Sequence, residues 1–259
     1  MEKMAVNVRR YLIISSILVL AASAAGCGSG GERPGANGGT IATGGTTATG
    51  GSTGAAGILC PPGVTPSSAE ITNFSSTEWN ETTDKFGTGN TLGGIFSYGG
   101  AANAGSTMTS TVDTTNQALV LSGSVTAGDY SGGVLSFDEC VNASAYSGVQ
   151  FTLGGTTAGC DLIFDVQTFD QKPSGKNQVG GCTGSCYSFP GTKLTTTSGV
   201  VSVPFANLSG GGPLVVATAI NDEIVGLQWQ FQSPAPVGDG GQLGCPNINL
   251  TITNVSFVP

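Results

Sequence analysis

Histidine is absent from all 259 residues, and basic residues of any kind are scarce. Without an imidazole, Ser-His-Asp and Cys-His catalytic arrangements are excluded. Lysine and arginine total 8 against 16 acidic residues, and only 9% of the chain is charged. No basic cluster is available to neutralise phosphates, so nucleic acid is excluded as a partner. No Gly-rich loop is followed by Lys-Ser or Lys-Thr, so nucleotide binding has no support either. Sustained 3.6-residue periodicity is also missing, which removes long amphipathic helices from the expected fold. What the chain does have is 43 glycines and many Thr, Ser and Asn residues, a composition suited to an exported β-protein with an uncharged polar surface.

The start of the chain reads as a signal rather than as fold. "MEKMAVNVRRYLIISSILVLAASAAGC" places Lys3, Arg9 and Arg10 before an apolar run from Tyr11 to Ala25. This run is too short and wrongly flanked for a membrane span, so residues 1–26 are expected to be an export signal. "AAGC" at 24–27 resembles a bacterial lipoprotein box, with Ala24 where Leu is more usual. The resemblance implies that Cys27 is lipidated and becomes the new N-terminus; the alternative is ordinary cleavage near Ala25. An exported protein, lipid-anchored to the bacterial outer membrane or cell surface, is the expectation. Gly28 is not the aspartate associated with inner-membrane retention in lipoproteins that the segment resembles.

From 27 to 59 the sequence is rich in Gly and Thr and almost without large apolar side chains. Such a segment cannot bury enough area to offset its ordering entropy and is expected to be a flexible linker. Its average reach is roughly 30 Å. Residues 60–259 then form one domain large enough for a proper core.

Beyond Cys27 the cysteines are Cys60, Cys140, Cys160, Cys182, Cys186 and Cys245. An even number in an oxidising compartment reads as three disulfides. A zinc site would need further ligands, and Cys182-x3-Cys186 has no second thiolate pair nearby. Of the 15 connectivities, the expected set is Cys182–Cys186, Cys140–Cys160 across neighbouring strands and Cys60–Cys245 joining the domain's ends.

Short alternating apolar runs recur between Gly, Asn, Asp and Ser clusters. They predict strands near 70–74, 94–98, 107–112, 117–125, 132–137, 148–153, 161–168, 199–204, 223–231 and 247–257. The pattern is all-β, and this spacing suggests an antiparallel sandwich or jelly roll.

Five stretches in order carry a family resemblance: "AEITNF" (69–74), "SGGVLSFDECVNASAYSGVQFTLGG" (131–155), "VVSVPFANL" (200–208), "EIVGLQWQF" (223–231) and "NLTITNVSF" (249–257). Together they resemble the galactose-binding-like jelly-roll domains, especially carbohydrate-binding modules similar to family 11. The resemblance implies an antiparallel β-sandwich with one concave sheet able to bind a polysaccharide. It departs from the pattern at Asn73 and Asn254, where the family often has acidic residues near a structural calcium. Losing two carboxylates weakens a hard-cation site, so no cofactor or metal is expected, although Glu70 and Asp161 remain as oxygen donors.

Strand parity sorts the candidate residues. Val149, Phe151, Leu153, Leu162, Phe164, Val166, Leu227, Trp229 and Phe231 take the core side. If their three strands share the concave sheet, Gln150, Asp165, Gln167, Gln228 and Gln230 form one polar cluster. Amides and a carboxylate supply both donors and acceptors, as sugar hydroxyls require. A half-exposed antiparallel sheet also carries polar residues with no ligand at all, so a solvated face stands as the other reading. Trp79 and Tyr187 are expected as stacking platforms for a pyranose, with Tyr98 and Tyr130 also outside the core parity. Paired carboxylates for glycoside cleavage are thin, Asp161 and Asp165 being the pair that shares a face. The leading expectation is therefore a non-catalytic, glycan-binding lipoprotein and not an enzyme. A structural or protein-interaction lipoprotein on the same fold is the alternative, and a degenerate glycan hydrolase the third reading.

Overall fold

The computed structural model describes residues 60, 63–76, 92–99, 105–174, 179–184, 186–211, 221–234 and 244–259, and the backbone of two short strands at 79–80 and 85–86. The signal expected over 1–26, the lipidation site Cys27 and the linker over 27–59 lie outside these residues.

Two antiparallel sheets make a β-sandwich. One contains β11 (Gly199–Pro204), β8 (Gly148–Thr156), β13 (Cys245–Val258), β6 (Ala118–Val125) and β5 (Thr107–Asp113) in that order, with β1 (Glu70–Thr72) paired to β13. The other runs β10 (Gly191–Lys193), β9 (Asp161–Thr168), β12 (Ile224–Gln232), β7 (Tyr130–Val141) and β4 (Leu92–Gly99). A separate two-stranded pair joins β2 (Trp79–Asn80) to β3 (Lys85–Phe86). Every predicted run became a strand. The strands that were not predicted, β2, β3 and β10, are two or three residues long, too short for alternation to register.

Alternation builds the core as expected. Leu227, Trp229 and Phe231 of β12, Leu162, Phe164 and Val166 of β9, and Val149, Phe151 and Leu153 of β8 are all buried. The Phe151 ring meets Phe164 at 4.9 Å and Trp229 edge-on at 5.4 Å between centroids, which ties the two sheets together. Edge-to-face aromatic pairs of this kind add about 0.5–1.5 kcal/mol beyond area burial. Trp229 is therefore a core residue.

All six cysteines beyond Cys27 form disulfides, but two of the expected pairings are corrected. Cys182–Cys186 forms; the others are Cys60–Cys140 and Cys160–Cys245, with Cα separations of 6.2 and 5.6 Å. The expected Cys140–Cys160 pair assumed that consecutive strands are neighbours. Instead β12 lies between β7 and β9, and Asp161, next to Cys160, is level with Tyr130 at the start of β7, whereas Cys140 stands near the other end of that strand. The entering chain lies beside the end of β7, where Val64 N donates to Cys140 O at 2.8 Å, and this brings Cys60 to Cys140 rather than to Cys245. Cys245 opens β13, the neighbour of β8, and so meets Cys160 just past the end of β8.

Candidate functional site

The outer face of the five-stranded sheet carries two rows of residues in cross-strand register. One row is Phe96, Val134, Gln228, Asp165 and Gly191; the next is Tyr98, Gly132, Gln230, Ile163 and Lys193. Both follow from period two: these positions alternate with the buried core residues on each strand. Two glycines make room for the larger partners. A Cβ on Gly132 would collide with the Tyr98 ring and the Trp229 carbonyl, and one on Gly191 with the Asp165 carboxylate.

Above these rows lies a cleft of about 580 Å³, a volume in the range of small-ligand sites. Phe96, Tyr98, Tyr130, Tyr187 and Phe189 supply its aromatic walls; Gln167, Gln228 and Gln230 supply the polar floor. The floor is internally bonded. Gln167 Nε2 donates to Gln228 Oε1 at 2.9 Å, and Gln228 Nε2 donates to Asp165 Oδ2 at 3.0 Å. The Tyr98 hydroxyl donates to Gln230 Oε1 at 3.2 Å. Gln167 Oε1 is buried with no protein partner.

Burial shapes the charges here. Desolvation raises the Asp165 carboxyl to about 7, opposed by the bond from Gln228. Burial, then the neighbouring Asp165 charge and Tyr130, pushes the Tyr98 hydroxyl well above the ordinary tyrosine range. The Lys172 ammonium is pushed down to about 8 by burial.

One wall comes from the loop after β9. Gly181 N donates to Phe169 O, Cys182 N to Lys172 O and Tyr187 N to Gln171 O, at 2.7, 3.0 and 2.8 Å, so the loop is laced back onto itself. The Cys182–Cys186 bridge closes it immediately before Tyr187, whose backbone sits at φ 68°, a conformation costly for a non-glycine residue. The result presents the Tyr187 ring, 64% exposed, edge-on to Phe189 at 6.3 Å.

The expected residues therefore divide. Asp165, Gln167, Gln228 and Gln230 come together, with Asp165 set behind Gln228 rather than lining the cleft, and Tyr187 lines the same cleft. Gln150 does not join them. It points outward as parity predicted, but from β8 in the opposite sheet, beside Ser202 and Ser256. Period two tells inside from outside and is silent on which sheet a strand enters. The side chain of Trp79 lies outside the described residues. Sequence reasoning passed over Phe96, Phe189 and Lys172. Phe96 was within reach, since in "GGIFSYGG" Ile95 is buried and Phe96 shares the outward parity of Tyr98. Lys172 and Phe189 lie on an irregular loop, where no periodicity signals direction.

Catalytic and metal geometry is sparse. Among the described residues no carboxylate lines the cleft, and no three His, Cys, Asp or Glu side chains gather as a metal site. Of the pair noted in the sequence, Asp161 is held by Lys193 in an exposed ion pair at 2.7 Å, and Asp165 is bonded to Gln228.

No family model matches the chain, and no curated protein does. Solved structures do. The family 11 carbohydrate-binding module of the cellulosomal cellulase Lic26A-Cel5E of Clostridium thermocellum is similar over 74% of this chain and 94% of its own, at 13% identity and a TM-score of 0.46. A family 11 module from Clostridium thermocellum in complex with a β-1,3-1,4-mixed-linked tetrasaccharide is similar over 66% and 90%, at 14% identity and a TM-score of 0.44. The glycoside hydrolase domain of Endo-D from Streptococcus pneumoniae R6 is similar over 64% of this chain and 21% of its own, at 9% identity and a TM-score of 0.35. The first two belong to the family that the ordered motifs resemble. At such distances nothing about ligand or chemistry passes from those proteins to this one.

Proposed function

We propose that the sandwich is a non-catalytic carbohydrate-binding domain, held at the bacterial outer membrane or cell surface by a lipid on Cys27. The observation that carries the reading is the pairing of aromatic walls with a glutamine floor in one cleft. Aromatic faces suit the apolar faces of a pyranose ring, and fixed amides meet its hydroxyls as donors and acceptors. The lack of lining carboxylates among the described residues favours binding over glycoside cleavage, which needs two of them across the bond.

Retention on a panel of immobilised polysaccharides tests the reading, using the Cys27→Ser chain to avoid the lipid. The expected result is retention of at least one glycan, lost in Gln228→Ala/Gln230→Ala and unchanged in Gln150→Ala. Loss of retention in Gln150→Ala alone overturns the assignment of the face, and hydrolysis products after long incubation overturn the non-catalytic part. Labelled fatty acid incorporated into the wild-type chain but not into Cys27→Ser tests the anchor.

A further inference from the structure

The cleft has one charged lining residue among those described, and it is a cation. Lys172 is 3% exposed, and its Nζ donates to Ser136 Oγ at 3.1 Å and to Val225 O at 3.4 Å. An ammonium carries three donors, so these neutral acceptors leave one N–H unassigned. Among the described residues no carboxylate lies within ion-pairing distance of Nζ. A buried charge without a counter-ion is costly, and proteins rarely keep one unless something else pairs with it. Here the missing counter-ion and the ligand cavity coincide.

We propose that the cleft selects acidic glycans, with the carboxylate of a uronic acid residue pairing with Lys172. This rests on the carbohydrate-binding reading and narrows it to a substrate class. The other parts of the cleft fit such a ligand: the aromatic walls take the ring, and Gln167, Gln228 and Gln230 take its hydroxyls. The overall charge of −8 works against polyanions at long range, but at about 0.15 M salt that field is screened within roughly 8 Å, and the local cation decides.

Other ionisable groups face the same space. Asp165 stands behind Gln228 on β9, Tyr98 and Tyr130 lie on β4 and β7, Tyr187 on the loop, and β12 contributes only glutamines. Asp165 gains charge and Lys172 loses it as pH rises, so both shifts weaken carboxylate binding in the same direction. The pH profile alone cannot separate them, and substitution can.

The test measures binding of polygalacturonate and alginate, each beside its esterified form, at about 0.15 M salt and pH 6. Esterification keeps the sugar and removes the charge. The free acids are expected to bind about 10- to 100-fold more tightly than the esters, the range for a hydrogen bond to a charged group. Lys172→Met should abolish that preference while ester binding persists. Lys172→Gln, which keeps a donor for Ser136, should do the same and serves if the methionine variant is unstable. Asp165→Asn should strengthen acid binding above pH 7. Equal affinity of the wild type for acid and ester overturns the proposal and leaves glycan binding standing. So does a preference that survives in Lys172→Gln. Retention of neither form by the wild type, with no other glycan held, overturns both.

Discussion

Gln228 donates its amide to the Asp165 carboxylate at 3.0 Å from the neighbouring strand, and so opposes the burial that raises this acid to about 7. Register puts the two residues directly opposite each other. The bond favours the charged form, while burial favours the neutral one and is the larger effect.

Stability should therefore depend on pH through Asp165. Its folded value of about 7 stands above the ordinary unfolded value of about 3.9, so the folded state binds more protons between the two. The Asp165 contribution is full below about pH 4 and is lost as pH rises to about 7, by at most about 4 kcal/mol. Asp165→Asn should flatten that decline while keeping an acceptor for Gln228. Glu223, raised to about 9 by burial and by Asp170, continues the decline to higher pH and is left in place by the substitution. Denaturant unfolding at pH 5 and pH 7.5 for both chains reads the difference. An equal decline in the two refutes the assignment to Asp165.

Trp229 tests the packing. Trp229→Ala should cost about 3–5 kcal/mol, as large-to-small core changes do. Trp229→Phe should cost less than half of that, because the indole N–H is buried without a partner and its removal offsets some lost contact. Glycan affinity should stay unchanged in Trp229→Phe. An affinity loss there would mean that the ring reaches the ligand after all.

Much of this was written in alternation. The parity of "GLQWQFQ" separates Trp229 from Gln228 and Gln230 with no structure in hand, and ten strands were legible for the same reason. The assignment of strands to sheets was not, because inward parity is the same in both layers of a sandwich. That is why Gln150 was grouped with residues on the opposite face and why Cys140 was paired with Cys160. The cleft lining was half legible: Tyr98, Tyr130 and Tyr187 stood out as rings off the core parity, while Phe189 and Lys172 lie on a loop that no pattern describes.

Tyr187 offers a separation of binding from stability. Its ring is 64% exposed, and alanine would meet much the same backbone cost at φ 68°. Tyr187→Ala should leave unfolding free energy within about 0.5 kcal/mol. Losing one stacking ring worth about 0.5–1.5 kcal/mol should weaken glycan binding about 2- to 12-fold. Calorimetric titration beside thermal unfolding measures both. A full-strength affinity would place the sugar away from this wall.

The disulfides should divide in the same way. Cys160–Cys245 spans 85 residues, and the chain-entropy account gives such a loop roughly 4–5 kcal/mol. Cys182–Cys186 spans only 4, worth roughly 2 kcal/mol on the same account. Its larger effect should fall on the wall of the cleft, since it closes the loop just before Tyr187. Cys182→Ala/Cys186→Ala is thus expected to weaken glycan retention at least as much as Tyr187→Ala, with a modest drop in stability. Cys160→Ala/Cys245→Ala should lower stability by more and leave the affinity of the folded fraction intact. The two double variants, compared in denaturant unfolding and in binding below the unfolding transition, check the division. Unchanged binding in Cys182→Ala/Cys186→Ala would mean that the loop is held by its backbone bonds to Phe169, Gln171 and Lys172 alone, with the bridge adding nothing to the position of Tyr187.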